Sequence, residues 1–461
     1  MKRILLTAGL GILTSFSIFH SPFSIPPAEA AGPITYRHKH FLYTIDPASH
    51  PEWRTPSETW LINGVPFEPP AFWRVDGDTV PPLPAGVERQ ETFIWNRNTI
   101  RSTLETIVGT ALRRPAGNVT ISRTGTGLIV FDGVGLPGRD VDTDATARLT
   151  VAALEQNLTE IELPVTETQP EIHVNDEKLR AAGITEVVTV GESDFSRSPV
   201  NRRHNIAVGL NRFNGHYIEP GAVFSFTTIL GKVDGTTGYR KELVIKGDRT
   251  EPDYGGGLCQ ISTTAYRGVW EYGLPILKRK NHSYTVSHYF PPGTDATVYP
   301  GSVDMVFQND MRSALLLQTY KEGDLAFFIY YGTKDGRSTE LLGPFISNRR
   351  LPPPDKTEFT TDLAPGERKK LNERVPGLHA LWYRFVTSAN GEVHRETIFS
   401  IYEARSLFTA IGVAALPPGY LPGGATGDAL LGGDSIPTDA STLSSSKKSS
   451  SSVPKKPSTR R

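Results

Sequence analysis

Apolar positions along the chain repeat with two different periods, and the changes between them mark its elements. Ile100, Leu104, Ile107, Val108, Ala111 and Leu112 recur at helical spacing behind Asn98 and Thr99, which suit a helix start. A second helix is predicted over 143–157, where Ala147, Leu149, Val151, Ala152 and Leu154 are apolar and Asp142 or Asp144 can cap the start. Residues 119–121 and 128–131 and the alternating run 160–165 read as strands, the last an edge because of Pro164. These elements predict an α+β unit over 90–195. Further on, Ile261, Ala265, Tyr266, Val269 and Tyr272 keep helical spacing until Gly273 and Pro275 stop it. Strands are predicted at 314–318 and 325–331. A hairpin follows at 381–386 and 393–401, turning at Asn390-Gly391. Residues 31–89, rich in proline and carrying Trp53, Trp60 and Trp73, show no sustained period. The expected class is α+β and multidomain. A β-rich central domain over 196–344, with a glycine loop leading into a helix, is followed by a small all-β module over 345–415.

Charge and composition narrow the setting. Among 461 residues, 49 Lys and Arg balance 49 Asp and Glu, which argues against a dominant attraction to nucleic acid or an anionic membrane. Lys2 and Arg3, the apolar stretch 4–19 and Ala28-Glu29-Ala30 read as an export signal over 1–30. That stretch falls short of the roughly 20 apolar residues that span a bilayer, so no transmembrane span is expected in the mature chain. Residues 416–461 turn to Gly, Pro, Ser and a basic end, a composition with too little apolar surface to order itself.

The only cysteine, Cys259, follows Gly255-Gly256-Gly257-Leu258. It can form no disulfide within the chain, and it sits where a glycine loop enters a helix, whose positive end favours a thiolate. A small buried cysteine at a loop junction is the structural alternative. A nucleophilic thiol needs a base, and His282 and His288 both qualify; if 281–289 is a strand they share a face, and alternation cannot choose between them. Asp295 could orient the imidazole, completing a Cys-His-Asp set. Gly256, Gly257, Gln260, Ser262 and Thr263 surround the thiol in sequence and are expected to contact substrate. A zinc site built from His288, Asp295 and Cys259 or His282 would lack a correctly spaced glutamate and third histidine, since Glu392-Val393-His394 lies in the terminal module. No metal and no cofactor are expected.

Several separated motifs occur in a fixed order here: residues 202–206, Pro220-Gly221-Ala222-Val223-Phe224-Ser225-Phe226, Gly238-Tyr239, the glycine-cysteine run to Thr264, Asn281-His282-Ser283, Gly293-Thr294-Asp295-Ala296-Thr297-Val298 and residues 304–309. In these the central stretch resembles the VanW family, named after an accessory protein of vancomycin resistance clusters. The preceding unit is similar to a peptidoglycan-binding module through Gly138-Arg139-Asp140-Val141-Asp142. The terminal module resembles the G-five domain through Leu363-Ala364-Pro365-Gly366-Glu367 and Asn390-Gly391-Glu392-Val393. The resemblance implies an exported protein of the cell envelope whose partner is peptidoglycan. It further implies an L,D-transpeptidase-type acyl transfer on stem peptides, with Cys259 as nucleophile and His282 as general base; Asp295 matches the family pattern. A non-catalytic wall-binding or adhesion protein, and a cysteine peptidase or amidase, are the alternative functions.

Overall fold

The computed structural model describes residues 32–70, 84–246, 249–417 and 420. The expected export signal and nearly all of the basic tail lie outside the described residues. Strands outnumber helices, and the chain divides into two compact units, one of residues up to 353 with 375–405 and the other of 354–374 with those from 406 on. In the second unit, Phe408–Gly412 lies between a parallel Lys356–Thr360 and an antiparallel Arg368–Lys370. The stretch 345–415, expected as one module, is therefore shared between the two units.

In the first unit, the stretch 31–89 that showed no period contributes real strands. Ile34–His38 pairs antiparallel with Phe41–Ile45 and parallel with Glu160–Glu162, while Arg54–Ile62 pairs with Val87–Trp95. Their apolar positions are few and irregular, and one partner of the first lies more than a hundred residues away, so no local pattern reveals them. Both predicted helices form. Asn96 caps Arg97–Leu104 and Asp142 caps Thr143–Gln156, each accepting from backbone N–H groups of the first turn. Glu160–Glu162 is an edge strand, as Pro164 suggested, but the run 160–165 divides at that proline, and Val165–Thr168 joins a different sheet with Gly138–Val141. Ile34, Tyr36, Trp53, Ile100, Leu104, Val108, Ala147 and Ile161 form the core of this part.

The central part rests on a four-stranded sheet in the order Glu186–Asp194, Leu325–Gly332, Leu315–Glu322, Tyr217–Ile218. The helix Leu258–Tyr272 lies across it and ends at Gly273, whose N–H bonds to the Trp270 and Val269 carbonyls. Helix and sheet touch through their backbones. A Cβ on Gly191 would stand 1.9 Å from the Thr264 carbonyl oxygen, and one on Gly268 would stand 2.6 Å from the Gly191 nitrogen. Thr189 Oγ1 donates to the Gly268 carbonyl at 2.9 Å, and the Ser193 and Thr264 hydroxyls meet at 2.5 Å. On the far side of the helix, the sheet Ser338–Arg350, Gly377–Thr387, Val393–Tyr402 packs Trp382 edge-on against Trp270. Arg384, fully buried, donates to the carbonyls ending the helix at Trp270 and Leu274.

The backbone contact sets a test. Gly191→Ala is expected to destabilise the protein by about 3 kcal/mol or to prevent folding, because no side chain can yield to the added carbon. Gly125→Ala, whose Cβ meets nothing within 4 Å, should change stability by less than about 0.5 kcal/mol. Thermal and urea unfolding followed by circular dichroism measures both.

Candidate active site

Cys259 occupies the first turn of the helix Leu258–Tyr272 and is partly exposed. The helix begins abruptly because Gly257 takes φ 111°, a left-handed backbone that suits glycine. A Cβ there would crowd Ile206 and Arg202 at 3.0 and 3.2 Å, and one on Gly256 would meet Glu242 Cβ at 2.8 Å. Both glycines were expected to admit substrate. Their small size is instead taken up by the protein's own packing. The Leu258 and Gln260 N–H groups donate to the Gly255 and Gly257 carbonyls at 3.0 Å each; among the described residues no backbone acceptor takes the Cys259 N–H. That group is left to face whatever approaches the sulfur.

Two loops bring the other polar groups to the thiol. Residues 281–286 form a loop, not the strand considered above, and His288 lies in the short turn Ser287–Tyr289. The alternation that made the two histidines equivalent is absent, and they part company. His282 is close enough to Cys259 for each to favour the charged form of the other, while the thiol itself donates to the Val298 carbonyl at 3.6 Å. The Nδ1 of His282 lies 2.6 Å from Asp295 Oδ2, which also accepts the His282 backbone N–H at 2.7 Å. The ring stacks on Tyr289, with centroids 4.5 Å apart. Thr297 Oγ1 stands 3.4 Å from the sulfur. His288 has no hydrogen bond to the thiol.

Asp295 is 2% exposed. Its other oxygen accepts from Arg279 Nη2 at 3.1 Å and from the Tyr402 hydroxyl, which in turn accepts the Gly293 N–H at 2.7 Å. Tyr402 arrives from the hairpin Gly377–Tyr402. The same hairpin holds the loops by Arg279 Nη1 to Ser400 Oγ at 2.7 Å, Asn281 Nδ2 to the Ile401 carbonyl at 2.7 Å and Trp382 Nε1 to the Pro292 carbonyl at 2.8 Å. Arg279, Tyr289 and Tyr402 were not singled out from the sequence as parts of this site. Tyr289 had a signal in its closeness to His282, whereas Tyr402 had none, being 107 residues from Asp295.

The remaining expected substrate contacts are structural. Gln260 is fully buried, accepts from Arg202 at 2.8 Å and donates to the Asp194 carbonyl at 3.1 Å. Ser262 and Thr263 are fully buried too; Ser262 Oγ donates to the Ala296 carbonyl and Thr263 Oγ1 accepts the Ala296 N–H at 3.0 Å. They fix the loop between Asp295 and Thr297 to the helix, so their polarity serves the site from behind. Among the described residues no group of three or more His, Cys, Asp and Glu side chains is placed to hold a metal ion.

These contacts set the charges. Burial opposes ionisation of Cys259, but the hydrogen bond and charge of His282, with help from Thr297, outweigh it and bring the thiol from 9.0 down to about 7. Burial also opposes a charged imidazole at His282; the bonds to Asp295 and Cys259 prevail and lift it to about 9. For Asp295 burial favours the neutral acid, yet the bond and charge of His282, then Arg279 and Tyr402, hold the carboxyl well below the usual range. Each group thus favours the charged form of the other, and the two shifts together favour a thiolate-imidazolium pair.

Alkylation by iodoacetamide is therefore expected to rise through an inflection near pH 7. In His282→Ala, burial is left as the main influence, and the inflection should move up by about two pH units, past the ordinary thiol value of about 8.5. Tyr402→Phe removes a donor to a buried carboxylate and an acceptor for Gly293, and should lower stability by about 1–3 kcal/mol in urea unfolding.

The stretch carrying these residues matches known sequences. Residues 201–330 match the family model described as VanW like protein. The uncharacterized protein YoaR of Bacillus subtilis (strain 168) is 31% identical over 179 residues, covering 39% of this chain and 57% of that protein. The vancomycin B-type resistance protein VanW of Enterococcus faecalis (strain ATCC 700802 / V583) is 29% identical over 116 residues, covering 24% of this chain and 42% of that protein. The chain thus spans about half the length of these relatives. Among solved structures, the crystal structure of HP0197-G5 aligns over 16% of this chain and 97% of its own at 16% identity, with a TM-score of 0.09, too slight to bear on the fold. Cys259, His282 and Asp295 all fall inside the matched stretch, and residues 201–330 are a VanW-like domain.

Proposed function

We propose that the protein is an exported cell-wall acyltransferase of the L,D-transpeptidase type, with Cys259 as nucleophile. The observation that carries this reading is the thiol at a helix start, its acidity raised by a neighbouring histidine whose Nδ1 is held by a buried, fully engaged carboxylate. A catalytically idle cysteine has no need of such an arrangement.

In this mechanism the thiolate adds to the carbonyl of a stem-peptide amide, and the oxyanion that forms lies near the Cys259 N–H. His282, already protonated, gives its proton to the departing amine, which leaves as D-alanine while a thioester remains on sulfur. The incoming amine of a second stem then attacks the thioester carbonyl and loses a proton to His282. The thiolate departs and an amide cross-link is left. The imidazole thus acts first as acid and then as base, and needs no initial proton transfer from the thiol. Water in place of the amine would give hydrolysis, so acceptor choice separates a transferase from a peptidase. Asp295 keeps the imidazole oriented and charged throughout.

Peptidoglycan as partner is supported by the family match and by the likeness to a vancomycin resistance protein. The test compares the protein and Cys259→Ala on isolated sacculi and on defined tetrapeptide muropeptides, with products resolved by mass. Cross-linked dimers with release of D-alanine, lost by at least 100-fold in the variant, are expected. Cleaved stems without dimers would mark a peptidase. Sedimentation of both proteins with sacculi and no change in the wall would overturn the enzymatic reading in favour of a binding protein.

A further inference from the structure

A cavity of about 400 Å³ opens beside the site, between the turn joining Ile34–His38 to Phe41–Ile45 and the segments 193–197 and 287–291. It shares its walls with the supports of the thiol. Gln260, next to Cys259, donates to the Asp194 carbonyl at 3.1 Å. Arg267, on the cavity's floor, donates to the Tyr289 carbonyl at 2.9 Å, and the Tyr289 ring lies against His282. Eight residues separate Cys259 from Arg267, about 12 Å along a helix axis. A peptide of four extended residues spans about the same distance.

The lining has an unbalanced set of partners. Asp194 is engaged by the Ser196 N–H at 2.6 Å and its hydroxyl at 3.1 Å, and Arg267 is spent on carbonyls and Thr294. Arg197 is different. It is exposed, held at φ 62°, and among the described residues no group accepts from its guanidinium. A side chain in this backbone region is strained unless its surroundings fix it, and such positions gather at ligand sites. His288, half-buried, has no hydrogen-bond partner among the described residues, and the Nε2 of His40, which is 2% exposed, is buried without one. Phe41 and Phe290 supply apolar surface on either side.

The geometry points to a binding subsite for a carboxylate of an acidic peptide, paired with Arg197 and flanked by His288, whose backbone continues to Cys259. This inference rests on the acyl-transfer reading, because the peptide is taken to be the one whose carbonyl meets the thiol. An arginine fork matches a carboxylate, and an engaged Asp194 leaves it free to do so.

Binding is measured by calorimetry on full-length Cys259→Ala, so that no turnover intervenes, with a stem tetrapeptide and the same peptide fully carboxamidated. A second change, Arg197→Asn, keeps a residue that tolerates positive φ while removing the charge. It is expected to weaken the free-acid peptide about 10- to 100-fold and to leave the carboxamide unchanged, with Arg197→Lys recovering part of the loss. Equal affinity of the free acid for Arg197→Asn and its parent overturns the subsite, as does equal affinity of acid and carboxamide for the parent. The two readings fail separately. Selective binding through Arg197 in a chain whose Cys259 form releases no D-alanine keeps the subsite and removes the transferase; turnover indifferent to Arg197→Asn and to amidation does the reverse.

Discussion

Everything around the thiol depends on one buried carboxylate. Asp295 accepts four donors, two from His282 and one each from Arg279 and Tyr402. An isolated carboxylate so deeply buried would take up a proton. With these partners it stays charged, and its charge is what makes a protonated imidazole tolerable beside a half-buried sulfur. The proton inventory of Cys259 is therefore decided two groups away. Removing one member would leave the others as buried, uncompensated charges, which is why such sets are costly to break.

The second constraint is steric. The helix that presents Cys259 approaches the central sheet so closely that Gly191 and Gly268 have no room for a side chain. This fixes the helix in height and rotation, and Ser262 and Thr263 pass that position on to the Asp295 loop through the Ala296 backbone. The sulfur is thus placed by a helix, and the loops that carry the imidazole and the carboxylate are tied to that helix and to the hairpin. Arg202 extends the frame outward, touching Gln260 and Tyr289.

The amino-acid sequence discloses this arrangement unevenly. Local information carried far: helical periodicity gave both amino-terminal helices and the cysteine helix, although the first is capped by Asn96 and already includes Asn98 and Thr99, and Asn390-Gly391 gave the hairpin. The residues of the set, Cys259, His282 and Asp295, were legible because each type suits one role and because all three sit in motifs. What stayed hidden was long-range or context-dependent. Ile34–His38 is a strand only because Phe41–Ile45 and Glu160–Glu162 accept it. Ser262 and Thr263 looked like substrate contacts because polar residues near a nucleophile suggest a ligand; burial turned them toward a backbone. Leu378, Ala380, Trp382, Arg384 and Val386 form the inward face of a strand expected only over 381–386, and nothing in the sequence said that the face would meet the cysteine helix.

The hairpin bearing Tyr402 lies beyond residues 201–330, and the chain reaches it only after passing through the second unit at 354–374. A growing polypeptide makes Cys259 well before it makes the hydroxyl that completes the environment of Asp295. Until then Asp295 lacks one of its four donors, so the polar set around it is closed by one of the last segments to be synthesised into its unit.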